Sequence, residues 1–146
     1  MTTTKRVARR AAALAAGVIA VAGVSLVNAQ PAAALPNLTI NLSGSGIVVG
    51  TEWANQNYGG AYLQYEANRN CTLMVTDSDF ADHILPNGFD GLPYDWDNDI
   101  SSFKNWANCL TNHFDADGLT GGQTGLLNDG NVPAGYNDRT ESIRWS

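Results

Sequence analysis

Basic side chains are scarce in this chain, and so are the residues that most catalytic and metal centres use. Only eight Lys and Arg occur in 146 residues, and Lys5, Arg6, Arg9 and Arg10 account for four of them. Beyond residue 29 the remaining four face all fourteen Asp and Glu, a formal charge of −10. A surface so short of positive charge repels phosphate backbones and anionic lipid. Nucleic acid and membrane surfaces are therefore excluded as partners, whereas a metal cation or a basic partner would suit it. Two histidines (His83, His113) and two cysteines (Cys71, Cys109) are too few for a catalytic zinc site. No Ser sits in a Gly-x-Ser-x-Gly elbow. Asp77, Asp79 and Asp82 beside His83 read as a solvated acidic loop rather than a catalytic group. No catalytic residue is assigned, and no enzymatic activity is expected. No stretch sustains a helical period either.

What the N-terminus does contain is an export signal. The basic cluster is followed by Ala11 to Val27, apolar apart from Gly17, Gly23 and Ser25, and then by Val27-Asn28-Ala29. A charged n-region, an apolar stretch and small residues at the end form a cleavable signal peptide over residues 1–29. A membrane anchor fits poorly, because the stretch is rich in Ala and Gly and barely reaches the ~20 residues a span needs. Ala32-Ala33-Ala34 is the alternative cleavage point. The expectation is a secreted, extracellular protein. The 117 residues that follow Ala29 suit one domain with one modest core, expected as a monomer.

In an oxidising compartment an even pair of cysteines bridges. Cys71 and Cys109 are thus expected as a disulfide. Residues 30–45 form a flexible or weakly paired leader. From there short apolar or alternating runs follow at 47–49, 61–65, 72–76, 102–106, 126–127 and 142–145, each bounded by Gly, Asn, Asp or Pro. That pattern predicts short strands joined by turns. Asp77 to Leu85 could coil into a turn or two of helix. The fold class is all-β.

Two patterns recur in the same order. Trp53-Ala-Asn-Gln-Asn-Tyr58-Gly-Gly60 matches Phe114-Asp-Ala-Asp-Gly-Leu119-Thr-Gly121 as aromatic, four residues, aromatic or apolar, one residue, Gly. Asp97-Asn98-Asp99-Ile100-Ser101-Ser102 matches Asn137-Asp138-Arg139-Thr140-Glu141-Ser142 as two Asx residues, two variable ones, an oxygen-bearing residue and Ser. In these motifs the chain resembles the βγ-crystallin superfamily, whose Greek keys each carry such a hairpin and such a turn. The resemblance covers residues 46–146, with motif one at about 46–106 and motif two at about 107–146. It departs from the pattern at Glu141, where Ser or Thr is usual, and at Leu119, where an aromatic is usual. Motif one also carries an insertion between Cys71 and Tyr94. The resemblance implies a double Greek-key sandwich in which the insertion lies outside the shared frame.

It further implies Ca2+ held by cross-donation between the two turns. One site would take the Asp99 carbonyl, the Ser101 hydroxyl and the Asn137 side chain. The other would take the Arg139 carbonyl, the Glu141 carboxylate and the Asp97 side chain, with hairpin carbonyls near Ala54 and Asp115 completing the pair. Calcium wants six to eight oxygens, which such turns can supply. The rival EF-hand fails, because starting at Asp95 it places Ile100 where Gly is needed and Trp106 where a bidentate Glu is needed. Asx and Ser in these turns can also simply cap their own backbone. Secreted microbial members of the superfamily include metalloproteinase inhibitors and killer-toxin-like proteins. The functions implied are thus a secreted calcium-binding domain acting as a proteinase inhibitor on a secreted protease, or a structural or antagonistic protein without a protease target. An extracellular hydrolase ranks third.

Overall fold

The structure is a computed structural model that describes residues 34–87 and 92–146. Residues 1–29, expected as a signal peptide, lie outside the described residues, as do positions 30–33 and positions 88–91 of the insertion. Nine strands occur among the described residues: β1 Leu38–Asn41, β2 Ile47–Asn55, β3 Gly59–Ala67, β4 Phe80–Asp82, β5 Ser102–Asn105, β6 Thr111–Ala116, β7 Thr120–Gln123, β8 Gly130–Asn131 and β9 Ser142–Trp145. One sheet has the order β1-β3-β2-β5-β8 and the other β4-β9-β6-β7.

β3 shows why these segments become strands. Leu63, Tyr65 and Ala67 are buried, while Tyr62, Gln64 and Glu66 between them are only half-buried. That period of two is the signature of a sheet with one face on a core. The core between the sheets is built from Val49, Leu63 and Tyr65 of the first sheet, Ile143 and Trp145 of the second, and Trp96 and Ile100 from the loop before β5. Tyr65 and Trp145 meet across the sandwich with ring centres 4.5 Å apart.

The two motifs exchange their third strands. β2, β3 and β5 of the first motif lie in one sheet, but its β4 pairs antiparallel with β9 in the other. Reciprocally, β6, β7 and β9 of the second motif share a sheet, while its β8 crosses to pair with β5. This is the double Greek key expected from the repeats.

Several sequence expectations change in detail. Thr72 to Thr76 is a loop, not a strand; the pairing partner on this stretch is Phe80–Asp82 instead. The insertion is therefore partly inside the frame, because Phe80 buries its ring and completes the second sheet. The same strand replaces the helical turns considered for Asp77 to Leu85. In motif two the third strand falls at Gly130–Asn131, and Leu127 makes only a single bridge to Thr111. Within the leader, Leu38–Asn41 pairs parallel with β3. Cys71 and Cys109 are bridged, with Cα atoms 5.0 Å apart, as expected.

Candidate functional site: the paired turns

Each hairpin is locked to the turn of its own motif by a buried serine. The Ser102 hydroxyl donates to the Asn55 carbonyl (2.6 Å) and accepts from the Tyr58 amide (2.9 Å). The Ser142 hydroxyl donates to the Ala116 carbonyl (2.6 Å) and accepts from the Leu119 amide (3.0 Å). Trp53 stands opposite Ser102 and Phe114 opposite Ser142 in the strand register. Tyr58 and Leu119 both take positive φ, 62° and 61°. The glycine two residues further on explains itself in both hairpins. Gly60 and Gly121 have φ of 79° and 76°, and a Cβ there would lie 2.6 Å from Asn55 Nδ2 or 2.4 Å from Asp115 Oδ1. Only glycine fits such a bend without strain. Leu119 thus fills the aromatic position with the same backbone conformation.

The two Asx turns meet, although 40 positions separate them. The Asn98 amide donates to the Thr140 carbonyl (2.9 Å), and the Asp138 amide donates to the Ile100 carbonyl (3.1 Å). Asn98 and Asp138 are the second residues of their turns, and both are left-handed, with φ of 63° and 54°. Asn and Asp tolerate that region better than most residues. The Ser101 amide donates to the Trp53 carbonyl and the Glu141 amide to the Phe114 carbonyl, each at 2.9 Å. Every one of these bonds has its counterpart in the other motif.

With the exchanged third strands, this reciprocity decides the architecture. It is of the βγ-crystallin type. No protein-family profile matches the chain, and no curated protein does. Solved structures do. A βγ-crystallin domain from Clostridium beijerinckii is 17% identical, with 66% of this chain and 95% of that one covered and a TM-score of 0.48. One from Flavobacterium johnsoniae is 20% identical, with coverage of 67% and 93% and a TM-score of 0.45. The N-terminal domain of Protein S is 19% identical, with coverage of 67% and 94% and a TM-score of 0.44.

Within this βγ-crystallin-type frame, the residues read from sequence as ligands fall around the joined turns. The first residue of each turn carries a buried oxygen without a partner: Asp97 Oδ1 and Asn137 Oδ1. The other Asp97 oxygen accepts from Asn87 Nδ2 (3.1 Å). Burial holds the Asp97 carboxyl up at about 6, outweighing the Asn87 bond, and the carboxylates of Asp95, Asp117 and Glu141 add to the effect. Asp97 and Glu141, from different motifs, therefore share one electrostatic neighbourhood. On the other side, the Ser101 hydroxyl donates to Asp138 Oδ1 (2.6 Å), and Asn137 Nδ2 donates to Asp138 Oδ2 (2.6 Å). Asp99 is raised by burial and then by Asp138 and Asp95.

Arg139 directs its guanidinium to Asp115 Oδ2 (2.7 Å) and the Gly135 carbonyl (2.8 Å). It thereby neutralises one carboxylate at the rim. Asp138 had no role in the sequence reading, yet it bridges Ser101 and Asn137; its place as the second Asx of the turn was the available signal. Among the described residues no three His, Cys, Asp or Glu side chains gather as an all-side-chain metal cluster. The donors that gather at the turns are instead of mixed kind: carboxylate, amide, hydroxyl and backbone carbonyl.

The acidic group considered at Asp77 to His83 has structural partners. Asp79 pairs with Arg69 and accepts from the Thr72 amide (2.8 Å), and Asp82 accepts from the Tyr65 hydroxyl (3.0 Å).

Proposed function

We propose that this is a secreted, calcium-stabilised domain whose metal is held where the two Asx turns meet. The observation that carries this reading is the pair of orphaned oxygens, Asp97 Oδ1 and Asn137 Oδ1, at equivalent positions of mutually bonded turns. A buried oxygen without a donor costs stability unless something satisfies it. A cation does so, and the surrounding excess of carboxylates favours one. The donors are hard oxygens, which suit Ca2+ over softer metals. Asp99, Ser101 and Asn137 would serve one ion, and Arg139, Glu141 and Asp97 the other. Calorimetric titration of the disulfide-bonded protein tests the reading. Calcium binding that weakens in Ser101→Ala and in Asp97→Asn supports it, with the exposed His83→Ala as an unaffected control. Titrations without heat or saturation reject it.

A second reading, inhibition of a secreted proteinase, rests on a different observation. Leu73, Met74 and Val75 are 87%, 63% and 54% exposed in a row. The segment follows the disulfide at Cys71, and Thr72 ties it down: its hydroxyl donates to Asp77 Oδ2 (2.9 Å) and accepts from the Met74 amide (3.3 Å). Three adjacent apolar side chains exposed on a tethered loop favour a protein partner. A panel of secreted proteases, metalloproteases included, tests it. Inhibition abolished by Met74→Asp supports it, and no inhibition across the panel removes it.

A further inference from the structure

The outer face of the five-stranded sheet carries a concavity apart from the paired Asx turns, and Ile47 and Ala107 in its lining also pack against the core. It is open to solvent and has a volume of about 420 Å³ near the start of β2, within the roughly 300–1,000 Å³ typical of small-ligand sites. Ile47, Val48 and Ala107 supply apolar surface, Thr51, Gln64 and Asn70 supply polar groups, and Trp106 stands beside them. None of these side chains is charged, although the domain is strongly acidic.

Trp106 is held in the open. It is 43% exposed, whereas Trp96 and Trp145 are fully buried. Its Nε1 donates to Thr51 Oγ1 (3.3 Å), and the Lys104 ammonium lies 4.4 Å from the ring centre. Ala107 and Asn108 follow it with φ of 53° and 65°, two consecutive left-handed residues that are not glycine. Such strain persists only where the surroundings enforce it, and it concentrates at functional sites. Here the Cys71 amide donates to the Ala107 carbonyl (3.0 Å) and the Cys109 amide to the Trp106 carbonyl (2.9 Å), with the disulfide joining the two segments. Gln64 Nε2 is engaged by Glu66 Oε1 (3.1 Å), which leaves the Gln64 carbonyl oxygen to accept.

We propose that this concavity binds a neutral saccharide. A pyranose ring offers a C–H face that packs on a fixed indole and hydroxyls that bond to uncharged amide and hydroxyl groups. A purely apolar ligand would cover the Gln64 carbonyl oxygen and the Asn70 amide without pairing them, which is unfavourable. A charged ligand of either sign would meet both the Lys104 ammonium over Trp106 and the Glu66 carboxylate on Gln64, so neither sign gains an unopposed countercharge.

The test is 15N-edited NMR of the full domain titrated with cellohexaose and with hexa-N-acetylchitohexaose, both neutral. The Trp106 indole signal is assigned by its loss in Trp106→Phe. A saturable shift of that signal with at least one sugar is expected. Gln64→Leu should weaken binding about tenfold or more, while Tyr58→Ala, on the distant hairpin, leaves it unchanged. Well-dispersed spectra confirm that each variant is folded. No Trp106 shift with either sugar overturns the proposal. An equal shift produced by cyclohexanol at the same concentration overturns it too, as does a Gln64→Leu variant that is folded and binds as well as the parent.

Discussion

Single side chains do much of the specifying here, and Ser102 and Ser142 do it twice over. Each is fully buried and ties a hairpin carbonyl and a hairpin amide to its turn. Removing either hydroxyl strands both partners, so Ser102→Ala and Ser142→Ala should each cost about 1–3 kcal/mol. Urea unfolding of the two variants checks this. Asp97 contributes to the pH dependence, alongside the raised Asp99 and Asp82 carboxyls. Its carboxyl sits at about 6 in the fold against an ordinary 3.8, so the protonated form is the one the metal-free fold prefers. That contribution to stability is fully present below about 3.8 and is lost as pH rises through about 6. Calcium needs the ionised form, so the melting increment it gives should shrink as pH falls through about 6. Melting curves across pH, with and without calcium, show both trends, and Asp97→Asn should flatten them. A third residue-scale feature spans the core. Glu52 and His113 are fully buried, and His113 Nε2 meets Glu52 Oε2 at 3.0 Å between the two sheets. Glu52→Leu alone strands a buried His113 nitrogen and should cost about 1–3 kcal/mol, while the double change with His113→Leu should recover much of it. A double-mutant cycle by chemical denaturation decides the point.

At the scale of elements, what could be read in advance follows how local each signal is. The hairpins were legible because their backbone needs specific residues: Gly60 and Gly121 at sharp bends, Trp53 and Phe114 at equivalent strand positions. The turns were legible because Asx and Ser at fixed spacing bond to nearby backbone. β4 was not. Three residues are too few to show alternation, and Phe80–Asp82 is a strand only because β9 lies alongside it. Thr72 to Thr76 misled for the converse reason. Its β-branched residues favour strands locally, but the nearby disulfide and the carboxylates of Asp77 and Asp79 fix it as a loop. The Glu52–His113 contact joins residues 61 positions apart and leaves no pattern in sequence. The meeting of the two turns was readable from the repeat, whereas the role of Asp138 needed the turns to be brought together. The disulfide closes a separation of 38 residues, and its loss should cost about 4 kcal/mol in the chain-entropy model. Unfolding under reducing conditions measures this, and the Trp106–Ala107–Asn108 turn should loosen first, because Cys109 anchors it.

At the scale of the molecule, the described domain is two similar motifs that complete each other. Each lends its third strand to the other's sheet, and each turn bonds to its counterpart. Neither motif is therefore expected to fold alone. The same exchange brings Asp97 towards Glu141 and Ser101 to Asp138, so the proposed metal site would form only once both motifs are in place. Calcium should accordingly act on the global transition and not on one loop. The most direct measurement is scanning calorimetry of the disulfide-bonded protein at neutral pH in calcium and in EDTA. A single transition that moves up with calcium is predicted, by about 2.7 kcal/mol of added stability at a hundredfold excess over Kd, and Asp97→Asn should blunt the shift. Identical melting curves in calcium and EDTA would contradict the account and leave the paired turns as purely structural joints.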